Sequence, residues 1–382
     1  MAEAGSLRRW LERPEGRLLV LGFVSRLAIL ALGLLANAFF RNPDAPTTHG
    51  PWEGDPWFFA RFVRWDAGHY LDIAANGYVQ PESWAWQPLY PLLIAGVHAV
   101  LPFAGWSGAG LLVSEASFLA SLLLLHRLTT VLFDEGFAWR ACLALVFFPA
   151  SFFLGMIYAD GLHLALALGA LVSCSARRWV WAGLLAGLAA VTRPVGLLAV
   201  AAFAVALGLE AWRERDRLRA AAGRAGAGAA LAVAPTLLFL AYMKAKTGEW
   251  NFGNKVREEV WPAVHWHVPF DLRGIWINAG FLPIVVGGLA LAVLAGLWAV
   301  RDGLLRRHFQ AWPAHVLGGG GAVLALAYAE PQPVLRYLLA VPAVFWVGAA
   351  LKRAEAQTIL LGLSAMLQMM LLAAFMTWRW VY

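Results

Sequence analysis

Apolar residues run through this chain in blocks of about 17 to 25, the length of a helix that crosses a bilayer core, and short polar stretches separate the blocks. Alternation of apolar and polar positions is not sustained, so the pattern predicts helices rather than the strands of a membrane β-barrel. The first block, about Arg17 to Phe40, is longer than the apolar core of a secretory signal. It is read as a retained signal-anchor, although Ala36-Asn37-Ala38 resembles a cleavage site. Further blocks at about 108–132, 140–158, 161–176, 179–193, 195–211, 225–243, 279–300, 312–329, 334–351 and 356–377 bring the expected total to about eleven crossings.

One apolar segment, Trp86 to Phe103, is assigned to the interface instead. If it crossed, the loop carrying Arg213, Arg215, Arg217, Arg219 and Arg224 would lie outside, against the cytoplasmic bias of basic residues. With the segment lying flat, Arg8/Arg9, Arg127/Arg140, Arg177/Arg178, the 213–224 group, Arg301/Arg306/Arg307 and Lys352/Arg353 all become cytoplasmic. Pro88, Pro91 and Pro102, with Trp84, Trp86 and Tyr90, also suit a juxtamembrane or re-entrant helix.

Composition agrees with a polytopic all-α membrane protein: of 382 residues 61% are hydrophobic and 14% charged. The net charge of +7 is accounted for by membrane orientation, so no nucleic-acid role is assigned. Cys142 and Cys174 both fall inside apolar blocks, which gives no support to a disulfide framework and makes them small core residues.

This topology sends five polar segments to the outer face: Asn42 to Phe103, Tyr158-Ala159-Asp160-Gly161, Thr192-Arg193-Pro194, Lys244 to Asn278, and Glu330 to Tyr337. Acids (Asp66, Asp160, Glu258, Glu259, Glu330) there meet bases (Arg64, Arg193, Lys255, Arg257, Arg336). Outer loops are ordinarily poor in Lys and Arg, yet Lys244, Lys246, Lys255, Arg257 and Arg273 sit in one of them. A lipid phosphate or diphosphate would explain them, since Arg grips phosphate in a bidentate way and Lys acts as a point charge. Pairing with Glu249, Glu258, Glu259 and Asp271 in a solvated loop explains them equally. Asp160 and Arg193 stand at the ends of apolar helices, where an ionisable group costs about 2.5 to 3.5 kcal/mol on insertion scales. For Asp160 a helix N-cap and a site residue are compatible roles.

Several of these residues form ordered motifs. Arg64-Trp65-Asp66 with Tyr70, Ile73-Ala74 and Gly77-Tyr78 is followed by Gln87-Pro88-Leu89-Tyr90-Pro91, then Phe147-Phe148-Pro149-Ala150-Ser151 with Phe153, running into Tyr158-Ala159-Asp160. Downstream come Thr192-Arg193-Pro194 with Gly196-Leu197, Tyr242 with Lys246-Thr247-Gly248-Glu249-Trp250, and Arg336-Tyr337-Leu338-Leu339. In this order the motifs resemble the PIG-V family, whose eukaryotic members are the GPI mannosyltransferases that add the second mannose. Two departures stand out: the chain is shorter than the eukaryotic members, and Asp160 is followed by Gly161, where Glu or Ser-Glu is usual.

The resemblance implies a GT-C glycosyltransferase fold in a single transmembrane domain over residues 1–382. Juxtamembrane helices would occupy a catalytic outer loop at 41–107, and the loop at 244–278 would bind donor and acceptor. It further implies inverting transfer of a sugar, mannose by analogy, from a polyprenyl-phosphate donor to an extracytoplasmic acceptor. Such chemistry needs a base for the acceptor hydroxyl and cations for the departing phosphate. Asp66 corresponds to the catalytic carboxylate and Asp160 would orient the acceptor or support it. Lys255, Arg257, Arg336 and Arg193 would hold the donor phosphate. Arg64, Trp65, His69, Tyr70, Gln87, Tyr90, Tyr158, Glu258 and Tyr337 are expected to line the substrate site. No cofactor is required, and a divalent metal is left open: His69 and the pair His265 and His267 are not spaced with carboxylates as a metal site. The expected partners are the donor, the bilayer and an unidentified glycolipid, glycan or protein acceptor. The Ala-, Gly-, Leu- and Arg-rich composition points to a bacterial source and so to its inner membrane, and the topology above puts the site on the outside. Two other classes compete, a lipid-linked substrate transporter or flippase and a non-catalytic envelope scaffold. Transport would call for ionisable groups in mid-span, where only Arg26, Glu115 and His163 lie.

Overall fold

A computed structural model describes residues 12–40, 42–43, 45–46, 49–260, 282–302, 309–327 and 334–379. Among these, helices account for the regular structure and no strand occurs. The first is α1 (Pro14–Phe39), opened by a proline at its first turn, where the missing N–H costs nothing. Three short helices follow in the expected outer loop: α2 (Trp57–Ala60), α3 (Ala67–Asn76) and α4 (Leu89–Val100). At 12 residues α4 reaches about 18 Å, against about 30 Å of bilayer core, so Trp86 to Phe103 does not contain a spanning helix.

Next come α5 (Gly105–Leu132), α6 (Glu135–Val146), α7 (Asp160–Ser175), α8 (Trp179–Ala190), α9 (Leu197–Arg213), α10 (Arg215–Ala220) and α11 (Ala222–Thr247). The chain continues through α12 (Phe252–Val260), α13 (Leu282–Val300), α14 (Trp312–Ala327), α15 (Val334–Leu338), α16 (Pro342–Ala349) and α17 (Ala354–Met376). Asp55 starts α5 by accepting from the backbone N–H groups of Trp106 (3.1 Å) and Ser107 (2.7 Å), which satisfies donors left open by a helix N-terminus. Asp134 does the same for α6, accepting from Phe137 N.

Two expected spans are broken. The block at about 140–158 holds a helix only to Val146; after it, Pro149 and a 3₁₀ turn at Ser151–Leu154 interrupt the run. The block at about 334–351 divides into α15 and α16 at Pro342. Proline lacks the N–H and disfavours helix in the residue before it. Hydropathy passes over both breaks because the interrupting residues are themselves apolar. By length and composition, five helices are sufficient to cross a membrane among the described residues: Pro14–Phe39, Pro102–Leu132, Pro194–Arg213, Ala222–Thr247 and Ala354–Met376. The count of about eleven is therefore not reproduced. Residues 150–164 are buried throughout, as irregular backbone in a membrane protein has to be.

The core is built by α5 packing against α6 and α7, α7 against α8, and α8 against α11, with α17 and α5 flanking α1. Serines at 114, 117 and 121 share one face of α5. Ser114 donates to Tyr158 O and Ser121 to Gly161 O, so that face anchors the segment leading into α7. A side chain at Gly161 would overlap the Leu154 carbonyl, which explains why this chain has glycine after Asp160.

Candidate active site

Asp66 stands immediately before α3 and is aimed by an unusual backbone. Trp65 has φ +52°, a left-handed conformation that bulky residues rarely adopt. Its indole packs on Trp378, itself at φ +58°, with ring centroids 5.4 Å apart. Arg64 is buried and locks the turn: Nε donates to Met376 O at 2.9 Å, Nη1 to Val63 O at 2.8 Å, and the guanidinium lies over the Trp378 ring. Burial, and secondarily Arg61, lowers the Arg64 pKa to about 10, so it remains charged at neutral pH. Asp66 N–H donates to the Tyr158 hydroxyl (3.3 Å), which donates in turn to Arg64 O (3.3 Å). The start of α3 is thus tied to the segment before α7.

Arg336, on α15, bridges the two aspartates. Its Nη1 donates to Asp66 Oδ2 at 3.1 Å, Nη2 donates to Asp160 Oδ2 at 3.1 Å, and Nε donates to both Asp160 oxygens at 3.2 and 3.3 Å. Arg193 pairs with Asp160 Oδ1 from the other side. Two carboxylates and two guanidiniums therefore alternate and cancel, the condition under which charges survive burial. The Arg336 guanidinium rests on the faces of Tyr158 (4.5 Å) and Phe153 (5.2 Å). Burial alone would lower its pKa, but Asp66 and Tyr158 more than reverse this and the net shift is upward. Arg193 is lowered to about 10, by burial first and Arg336 second.

Exposure grades across the cluster: the Asp160 side chain is 1% exposed, that of Arg336 10% and that of Asp66 28%. Asp66 Oδ1 accepts no hydrogen bond from the described residues, which leaves one open oxygen on the accessible side. Tyr70 lies buried beneath. Burial raises its phenol pKa first, Asp66 adds to this, and Arg336, Arg193 and Arg257 oppose it, so Arg257 belongs to the same electrostatic neighbourhood. Arg257 Nη2 donates to Ala85 O at 2.6 Å, and no carboxylate pairs with it among the described residues.

The remaining motif residues separate into three kinds. His69 stacks on Trp86 with centroids 4.0 Å apart, and burial holds its imidazole below the ordinary value against Asp66, Asp72 and Glu82. Tyr337 lies under Arg193 at 5.9 Å, and Gln87 is half-buried in the loop before α4. Tyr90 is fully buried and engages Ser114 and Gly110 O, a packing role. Lys255 pairs at the surface with Glu249 at 3.0 Å, which raises its pKa, and Glu258 is exposed. These last two are not brought to the aspartate cluster. His265, His267, Arg273 and Glu330 lie outside the described residues, as do residues 261–278 of the expected binding loop. Among the described residues no group of three or more His, Cys, Asp or Glu side chains is placed to hold a metal.

Sequence reasoning missed Phe153 as a support for Arg336, and it missed Met376 and Trp378. A backbone carbonyl has no residue-type signature, and Trp378 resembles an interface anchor. Arg26 and Glu115 prove to be partners, with Arg26 Nε donating to Glu115 Oε2 at 3.0 Å. Their mid-span charges are therefore matched to each other.

Comparisons with known proteins bear on the family and the fold. A family model described as "Mannosyltransferase (PIG-V)" matches residues 55–245, half of the chain. The GPI mannosyltransferase 2 of Drosophila pseudoobscura pseudoobscura is 30% identical over 166 residues, covering 37% of this chain and 36% of that protein. The GPI alpha-1,6-mannosyltransferase 2 of Rattus norvegicus is 34% identical over 151 residues, covering 36% and 30%. The matches thus span about a third of these relatives' length. Among solved structures, ArnT from Cupriavidus metallidurans bound to undecaprenyl phosphate superposes with a TM-score of 0.53 at 16% identity, covering 90% of this chain and 61% of that one. The oligosaccharyltransferase of Archaeoglobus fulgidus superposes at 0.51 and 14% identity, covering 97% and 57%. At such identities the likeness concerns the fold, which is GT-C. By its sequence match and its helical architecture, this chain belongs to the PIG-V mannosyltransferase family.

Proposed function

We propose that this chain transfers a sugar, mannose by its family, from a polyprenyl-phosphate carrier to a hydroxyl of an extracytoplasmic glycolipid, glycan or protein. One transmembrane domain would do the work, with the loop at 41–107 supplying the base and the segment from 244 onward meeting donor and acceptor. The observation that carries the proposal is Arg336 bridging Asp66 and Asp160, because it brings three motifs distant in sequence to one spot beside an open carboxylate oxygen.

The acceptor hydroxyl gives its proton to Asp66 Oδ1 as its oxygen attacks the anomeric carbon. The bond from that carbon to the phosphate oxygen breaks on the opposite face, so configuration inverts, and polyprenyl phosphate leaves with the bonding electrons. Arg257, which pairs with no carboxylate among the described residues, is the first ligand for that phosphate. Arg336 stabilises the charge as it builds. Asp160 holds Arg336 and Arg193 in place. The membrane is that of a bacterial cell, with the site on its outer side.

The test uses purified protein in nanodiscs, polyprenyl-phosphate-linked radiolabelled mannose, and a membrane extract of the source cell as acceptor. Asp66→Asn is expected to cut the maximal rate by about 10² to 10⁴, the range of general-base catalysis, with donor binding retained. Arg257→Ala is expected to raise the donor KM. Undiminished transfer by Asp66→Asn would sink the assignment of the base, and absence of transfer by the wild type would sink the activity.

A further inference from the structure

Arg26 and Glu115 have no place in the chemistry above, yet Arg26 is 3% exposed in the middle of α1. An ion pair is sufficient to explain why such a charge is tolerated there. It does not explain the remaining geometry. Arg26 Nη1 donates to Ser151 O at 3.3 Å and Nη2 to Phe152 O at 3.2 Å, while the guanidinium lies 4.9 Å from the Phe118 ring centroid. Both carbonyls belong to the 3₁₀ turn that breaks the helix before Asp160. The next residue along, Phe153, meets Tyr158 edge to face at 5.2 Å, and both rings support Arg336. A continuous line of contact therefore runs from Glu115 through Arg26 and the turn to the guanidinium that joins the two aspartates.

We infer that Arg26 is a positioning residue for glycosyl transfer: by gripping the Ser151 and Phe152 carbonyls it sets the turn whose Phe153 and Tyr158 rings seat Arg336 between Asp66 and Asp160. The inference rests on the transferase proposal for its kinetic consequence, but its geometric content is independent of it. Glu115 has a different task, which is to neutralise Arg26 and orient its Nε.

Gly155 offers a clean way to separate the two tasks. A methyl group there would overlap the Arg26 guanidinium, and the Gly155 backbone, at φ −117° and ψ −4°, is one that alanine accepts. Gly155→Ala therefore displaces the guanidinium from the carbonyls and leaves both charges in the protein. Arg26→Met with Glu115→Leu removes the ion pair altogether; replacing a buried pair by apolar side chains is often neutral or stabilising. Glu115→Gln keeps Arg26 on the carbonyls.

The measurements are the maximal transfer rate at saturating polyprenyl-phosphate mannose, the donor KM, the Tm, and a solved structure of Gly155→Ala. Gly155→Ala and the double variant are each expected to lose about 10- to 100-fold in maximal rate, about one charge-assisted hydrogen bond's worth, with donor KM within about twofold of wild type. Glu115→Gln should keep most of the rate. Wild-type rates in the first two proteins would overturn the inference, and so would an equal loss in Glu115→Gln, which would make the ion pair the operative feature. If every variant that frees the carbonyls fails to fold, Arg26 is structural only. Should the wild type itself transfer no sugar, the Gly155→Ala structure still decides. A shifted Tyr158 and a broken contact between Arg336 and Asp66 are expected, and unchanged positions would refute the positioning role.

Discussion

Arg336 uses separate nitrogens of one planar guanidinium for the two carboxylates, Nη1 for Asp66 and Nε with Nη2 for Asp160, a spread that the single nitrogen of a lysine does not reproduce. Arg336→Lys should keep the protein folded, because Arg193 still neutralises Asp160. It should nevertheless release Asp66. Losing one charge-assisted hydrogen bond, about 1.5 to 3 kcal/mol, corresponds to roughly 10- to 150-fold in turnover, measured with the radiolabelled donor. His69 supplies a pH signature. Burial holds the folded imidazole below its ordinary value of 6.5, against Asp66, Asp72 and Glu82. As pH falls through about 6.5 the unfolded chain therefore takes up a proton before the folded one does, and stability is lost on the acid side until the folded group also protonates. Between pH 7.5 and 5 the Tm should fall more for the wild type than for His69→Phe, which keeps the stack on Trp86 without the titration.

Helices α8 and α11 cross closely enough that a side chain at Gly183 would overlap the Gly228 carbonyl, and one at Gly228 would overlap the Trp179 carbonyl. Small residues at such a crossing allow backbones to approach where no hydrophobic drive separates protein from lipid. Gly228→Val is expected to force α11 outward and lower the Tm, by about 1 to 3 kcal/mol of overpacking. Because α11 leads directly into α12 and Arg257, the donor KM should rise with it. Much of this level was legible in the sequence. The helices, the absence of a long helix in Trp86 to Phe103 and the residue types of the charged cluster follow from hydropathy, basic-residue bias and proline placement. The breaks at Pro149 and Pro342 were equally visible as residues, but a window average has no means of weighing one missing N–H against a run of Phe, Leu and Val. Lys255 and Glu258 were grouped with Arg257 because a sequence shows neighbours in order and not the faces of α12, on which only Arg257 turns toward Ala85 and Tyr70. Gly161 looked like a departure from the family pattern; the Leu154 carbonyl against it makes it a steric requirement.

Across the whole molecule, the reactive cluster joins segments that are remote in the chain. Arg336 reaches Asp66 across 270 positions and Asp160 across 176, and Arg64 reaches Met376 across 312. The helices of the first half form the frame around α5, and the late residues complete the site. This arrangement leaves the charges of the cluster facing one another. It also sets an order on assembly. A nascent polypeptide that has been synthesised only as far as α16 already possesses both aspartates and both bridging arginines, but it has neither the Met376 carbonyl nor the Trp378 indole that holds Trp65 in its left-handed turn. The turn that carries Asp66 is therefore held on both sides only once α17 and Trp378 are in place.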